Sequence, residues 1–358
     1  MNRHFALCSL LFAICPLTSA FSLPLFRDSL PNGLIVLTYE DHRLPIADIS
    51  LLCRSGHDCD PLEKAGLARL TAQLLPRGTR TISGDSVASI VEFLGGRFEG
   101  WADDDHSELN LRVLSKDLAT ALDLLADAVL NPAFDPREFS RTRDMALAQA
   151  RRAYDRPQSL AMLELNRLLF IGHPFATSAT GDTATIPKIT RDDLIAFHKT
   201  HFVPNNCFMV IVGDVDRQKV LAELGSRFQN WQPSSVPKPV LPELTFPDRL
   251  RCRYIHRPEL NQTYIALGHP GIRVTDPDML STRLMSYILG GSAMSSRLGL
   301  AVREEAGLAY DVRCWFDRGR HQGLFRATVQ TADPKSALGK MFQEIRLMHD
   351  SGATRTEL

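Results

Sequence analysis

The sequence predicts an α+β protein of two similar domains, each an antiparallel-rich sheet covered by helices. Three observations carry this expectation. Short alternating segments bounded by turn residues stand beside longer stretches of helical apolar periodicity. Residues 231–248 hold five prolines with little periodicity and read as a stiff extended linker. Beyond that linker the order of strands and helices starts again with little sequence identity, which suggests one fold used twice.

Residues 1–20 read as a secretory signal peptide: Arg3 supplies a basic start, Phe5–Cys15 is almost wholly apolar, and Thr18-Ser19-Ala20 offers small residues for cleavage. The expectation is a periplasmic or secreted protein. The apolar run is short for a bilayer, and no later segment is long and apolar enough to span one.

The first domain is expected over residues 24–230. Gly33–Tyr39, after an Asn-Gly turn, and Ala47–Cys53 read as strands of one hairpin or meander. Glu63–Leu75 and Asp85–Leu94 read as helices, stopped by Pro76 and by Gly95-Gly96. Ser107–Val113 alternates polar and apolar residues and should pair with Arg97–Ala102. Helices follow at 116–131, 136–154 and 157–170, and Thr190 caps another whose first turn is acidic. Cys207–Val212 is a buried strand and Arg217–Phe228 the last helix before the linker.

The second domain is expected over residues 249–358. Strands are predicted at 251–255, 262–267, 308–316 and 324–330, with helices at 278–289, 295–305 and 334–348. Compared with the first domain it lacks a final helix and strand, so it reads as truncated.

Lysine plus arginine and aspartate plus glutamate number 41 each, with the basic residues dispersed, so nothing favours nucleic acid or another polyanion as partner. Of seven cysteines, five follow the leader: Cys53, Cys59, Cys207, Cys252 and Cys314. Cys53 and Cys59 flank a turn-like stretch that an oxidising compartment could close, or they could stay free. Cys207, Cys252 and Cys314 lie in or beside apolar runs and read as buried thiols. The eleven histidines form no helical i, i+4 pair with an acidic partner; His57, His106, His173 and His201 read as loop or strand-end residues rather than zinc ligands.

A series of blocks then narrows the reading. L-P-N-G-L-I-V, D-P-L-E-K-A-G-L-A, L-P-R-G-T, L-G-G-R-F, H-P-F, I-T-R-D-D-L-I-A-F-H and F-V-P-N-N-C-F-M-V-I-V-G-D-V-D occur in order, followed by L-G-G-S-A-M-S-S-R-L and V-R-E-E-A-G-L-A-Y. From about residue 24 to 350 the chain resembles the pitrilysin or insulinase type of zinc metallopeptidase, closest to its processing-peptidase branch, whose inverted zinc motif is H-x-x-E-H. The resemblance implies the pitrilysin-like fold. It also implies where the metal site should be: its two His positions fall on Arg69 and Gln73, its general-base Glu on Ala72, and its distal Glu ligand near Ala148–Ala150, which reads A-Q-A. A guanidinium repels a cation, a methyl offers no lone pair, and an amide is a poor zinc ligand, so no metal is expected in this chain.

In the second half, the family's R-x6-Y spacing matches Arg303 and Tyr310, with Gly307 making the turn between them. The resemblance implies that both hold substrate and stabilise charge on its carbonyl oxygen. Gln262 matches a polar position of the family. Residues 97–103 match the edge strand on which substrate is laid, although Glu99 and Gly100 replace the usual Asn-Ala; Trp101 beside them fits either a partner contact or a core indole. The expectation is a metal-free subunit whose homologous partner carries H-x-x-E-H and the zinc, the two enclosing unfolded peptides. A catalytically dead peptide-binding or scaffold subunit is the alternative, and a respiratory-complex assembly subunit is disfavoured by the leader.

Overall fold

The computed structural model describes residues 25–244, 249–317 and 319–358. The expected signal peptide, and residues 245–248 of the expected linker, lie outside the described residues.

Strand β1 (Leu25–Ser29) turns through Gly33, at φ +89°, into β2 (Ile35–Glu40). The sequence reading misses β1, whose five residues alternate only between half-buried and exposed at the sheet edge. Next come β3 (Ile46–Cys53), α1 (Leu67–Leu74), α2 (Gly84–Phe93), β4 (Arg97–Ala102) and β5 (Ser107–Leu114). They are followed by α3 (Leu118–Leu130), α4 (Pro136–Asp155), α5 (Pro157–Leu169), α6 (Arg191–His201), β6 (Cys207–Gly213) and α7 (Arg217–Phe228).

The six strands form one sheet in the order β1-β2-β6-β3-β5-β4. This corrects the expected hairpin of β2 and β3: β6 lies between them, parallel to β2 and antiparallel to β3. Strand β6 encloses Met209 and Ile211 fully on one face, while Phe208 and Val210 on the other are half-buried and Val212 is exposed. Ile49 and Leu51 on the adjacent β3, and Leu109 and Leu111 on β5 beyond it, share a core with Leu70 of α1, Leu122 of α3, Leu194 of α6 and Leu224 of α7. Helix α6 starts with a full capping box between Thr190 and Asp193.

Residues 231–244 carry no regular secondary structure. Beyond them β7 (Thr263–Pro270), α8 (Met279–Gly290), a π-helical segment (Gly299–Glu305), β8 (Ala309–Phe316), β9 (Leu324–Thr331) and α9 (Pro334–Ser351) build an antiparallel sheet ordered β7-β9-β8. Val312, Ala327 and Val329 of this sheet pack on Leu289, Val302 and Met341 of the helical layer.

Two expectations fail here. Residues 251–255 form no strand and are exposed. Among the described residues β7 pairs only with β9. Cys252, within residues 251–255, is exposed rather than buried.

Cys53 and Cys59 are both free thiols. The cross-strand neighbour of Cys53 is Cys207, not Cys59.

The halves meet where α5 packs against β7, with Leu165 and Leu169 close to Gly268. Arg326 donates to Asn166 at 2.7 Å, and the Gln330 amide bridges Gln262 at 2.8 Å and Gln158 at 3.2 Å. Gln262 therefore has a structural partner at the mouth of β7.

Candidate functional site

The helix that would carry a zinc motif is held from below by a buried ion pair. The Asp60 carboxylate, with its side chain at 0% exposure, accepts the Gly66 and Ala68 amides at 2.8 Å and so binds the first turn of α1. Its Oδ2 also lies 3.0 Å from His57 Nδ1. Nε2 of the same ring faces the carbonyls of Pro174 and Thr177, each at 3.0 Å. Both ring nitrogens thus face acceptors: burial pulls the His57 pKa down and the Asp60 carboxylate more than offsets this, while burial raises the Asp60 pKa against its bonds from His57, Ala68 and Gly66. Neither His57 nor Asp60 stands out by spacing alone, because the pair works through a fold contact.

From this base α1 presents Arg69 and Gln73 to a cavity of about 480 Å³. Its other walls include Phe98, Glu99, Gly100 and Trp101 of β4, and Thr142 and Gln149 of α4. Ala72 does not line the cavity; it is fully buried beneath it. Helix and strand approach so closely that a Cβ on Gly100 would lie 1.9 Å from the Ala72 carbonyl oxygen. Glycine at 100 is therefore demanded by packing.

Arg69 is half-buried and spends one donor on the Ala102 carbonyl at 3.2 Å. Burial draws its pKa below the usual guanidinium value, and Asp103 partly restores it. The donors at the former metal position are a guanidinium and two amides, Gln73 and Gln149. They do not fit zinc, which requires imidazole, thiolate or carboxylate lone pairs. Among the described residues no group of three or more His, Cys, Asp or Glu side chains is arranged to hold a metal ion. Gln149 is the middle residue of the A-Q-A triplet; only the wall formed by α4 brings it opposite α1.

A second cavity of about 310 Å³ adjoins the first and shares Arg69, Trp101 and Thr180 with it. It lies between the halves, where the β8–β9 loop docks. His321 Nε2 meets the buried Asp58 carboxylate at 2.9 Å, and the Arg320 amide donates to Asp105 at 3.2 Å. Nearby Asp104 is pushed up to about 6 by burial and by the charges of Asp103, Asp317 and Asp105. His173 is lowered to about 4 by burial and by its histidine neighbours. Trp101 packs edge-on against His106 at 5.1 Å between ring centroids, half-buried at the rim of both cavities.

The structure brings Arg303 and Tyr310 together. The guanidinium carbon stands 4.9 Å from the Tyr310 ring centroid, across the turn made by Gly307 at φ +61°. Tyr310 is 83% exposed, and Arg303 has only a 3.4 Å contact with Glu304 as ion pair. Neither lines the two cavities. Tyr310 lies on the outer strand β8, where the ladder shifts register between Ala309 and Val312, and Arg303 on the π-helical segment before it.

No helix among the described residues is long and apolar enough to cross a membrane.

Comparison with known proteins bears on these features. Residues 35–183 match the family model described as insulinase (peptidase family M16), and residues 188–358 match the one described as peptidase M16 inactive domain. An uncharacterized zinc protease of Rickettsia bellii is 27% identical over 326 residues, spanning 89% of this chain and 77% of that protein. A crystal structure described as a peptidase M16 inactive domain from Pseudomonas fluorescens is 29% identical, with a TM-score of 0.84 over 94% of this chain and 81% of that one. A protease from Helicobacter pylori, 20% identical with a TM-score of 0.85 over 93% of this chain and 82% of its own, shares the fold. The two family models together account for the site-bearing helix and for the Arg303–Tyr310 turn, and the chain belongs to the insulinase family, peptidase family M16.

Proposed function

We propose that this chain is the metal-free subunit of an exported, heterodimeric zinc peptidase, acting at the zinc site of a homologous subunit that carries H-x-x-E-H. The observation that carries the reading is the Arg303–Tyr310 pair. Two hydrogen-bond donors meet across one turn, Arg303 on the π-helical segment and Tyr310 on the outer strand β8 at 83% exposure, away from both cavities at the first-half site. Such a pair suits a substrate held by another chain.

In the assembled peptidase the metal of the sister subunit would supply the Lewis acid and the activated water. Arg303 would donate from its guanidinium to the carbonyl oxygen of the bound peptide, and Tyr310 from its phenol. Both hydrogen bonds strengthen as negative charge gathers on that oxygen, which is the condition for accelerating the chemical step rather than merely binding. Stacking on the guanidinium orients the phenol and limits its rotamer freedom.

The test is to purify this chain with any homologue bearing H-x-x-E-H from the same cells and to measure peptide turnover by the mixture. Arg303→Ala or Tyr310→Phe should lower kcat by about a hundredfold, the scale of losing an oxyanion donor. Unchanged turnover would sink shared catalysis. It would favour the second reading, a peptide-holding scaffold, for which the roomy polar cavity beside α1 is the supporting feature.

A further inference from the structure

We propose that the cavity at the former metal position is a carboxylate site that takes the free C-terminal end of a peptide lying along β4. The proposal shares with the preceding section only the premise that peptides enter the protein; it does not depend on Arg303 or Tyr310.

Charge comes first. Arg69 and Arg77 line the same cavity, and neither has a carboxylate within ion-pair distance among the described residues. The one acid in the wall, Glu99, is held by Arg97 at 2.8 Å. The cavity therefore presents two guanidinium groups without a direct ion pair, Arg69 being offset only through space by Asp103. Arg69 uses only its bond to Ala102, leaving most of its five donors unspent in a half-buried setting. Gln73 and Gln149 have no side-chain hydrogen bond to any described residue, and each can add an amide donor from an opposite wall. A desolvated guanidinium without an anion is unfavourable, and an arriving carboxylate relieves it through charge-assisted, bidentate hydrogen bonds.

Backbone geometry makes the ligand a peptide end rather than a free anion. Four consecutive β4 residues, Phe98 to Trp101, line the cavity. In the sheet β4 pairs only with β5, so its outer edge has backbone amides and carbonyls available to an added strand. Because Gly100 lets α1 press against this strand, Arg69 and Gln73 stand at its side, where a chain paired along the edge would end. At about 480 Å³ the space suits a few residues.

The experiment is fluorescence anisotropy with the full chain and a labelled, uncharged Ala/Val/Ser peptide, compared with the same peptide amidated at its C-terminus. The free acid should bind about tenfold or more tighter than the amide. Arg69→Gln should erase that preference, and Arg77→Gln should reduce it. Equal binding of acid and amide by the wild-type protein, or binding of neither, would overturn the proposal even if a variant failed to fold. An acid preference that survives in folded Arg69→Gln would overturn it too. So would displacement of the peptide by inorganic phosphate or succinate at concentrations matching the peptide's own Kd, since that describes a free-anion site. Failure here leaves the turnover assay with Arg303→Ala unaffected, because that assay reads catalysis in mixed subunits.

Discussion

The two sheets start from the same order of elements and close differently. In the first, β6 returns through the middle, joins β2 to β3, and yields a six-stranded layer under one continuous core. In the second, the described residues form three strands, and residues 251–255, for all their strand-like sequence, lie exposed. Strand propensity becomes a strand only where a ladder partner is present. The contrast extends to the functional groups. Arg69 and Gln73 sit on a helix clamped to the larger sheet through Asp60 and Gly100, whereas Tyr310 sits on an outer strand with a register shift and Arg303 on the helical segment before it. The first arrangement suits a fixed pocket, the second a group offered to another surface.

Three substitutions break or sharpen this comparison. The largest effect is expected from Gly100→Val, which places a branched side chain against the Ala72 carbonyl and forces α1 off β4. A loss of about 3 kcal/mol in urea-induced unfolding is expected. Wild-type stability would mean that the clamp is not what fixes the first-half pocket.

Asp58→Asn comes next. It removes the charged partner of His321 while leaving an acceptor for the Gly56 amide, so a loss of about 1–2 kcal/mol is expected. Hydrogen exchange in the β8–β9 loop should rise with it. If exchange there stays unchanged, the two halves are joined mainly by the α5–β7 contact.

The smallest effect concerns the second half alone. Glu357 receives two bonds from Arg297 and one from the Thr354 amide, which lower its carboxyl to about 2. A depressed folded-state pKa means that the stabilisation is fully present above the ordinary glutamate value. It is lost as pH falls through about 2. Relative to Glu357→Gln, the wild type should gain about 0.5 kcal/mol at neutral pH, and the gap should shrink across that acidic window. A constant gap would place the stabilisation elsewhere.

Much of the fold was legible because local chemistry fixes local boundaries. Thr190 caps α6, Gly95 ends the turn after α2, and β4 pairs with β5 as their alternation predicts. The insertion of β6 was not legible, since hydrophobic periodicity reports burial and not neighbours. Cys252, flanked by Arg251 and Arg253, is exposed. At the site, Arg69, Gln73, Arg303 and Tyr310 could be located by motif frame. Gln149, Arg77 and the His57–Asp60 pair emerge only when distant segments meet. Ala72 lies on α1, but its side chain is buried in the core and does not line the pocket.

Three tryptophans give the chain a built-in optical readout. Trp231 is buried in the first core with its indole nitrogen bonded to the Phe202 carbonyl, and Trp315 bonds Asp317 on the second sheet. Trp101 alone stands at the rim shared by both cavities. A molecule entering the cavity beside α1 must alter the surroundings of that indole while Trp231, in the first core, remains a steady background. Intrinsic emission can therefore follow occupancy without any attached dye.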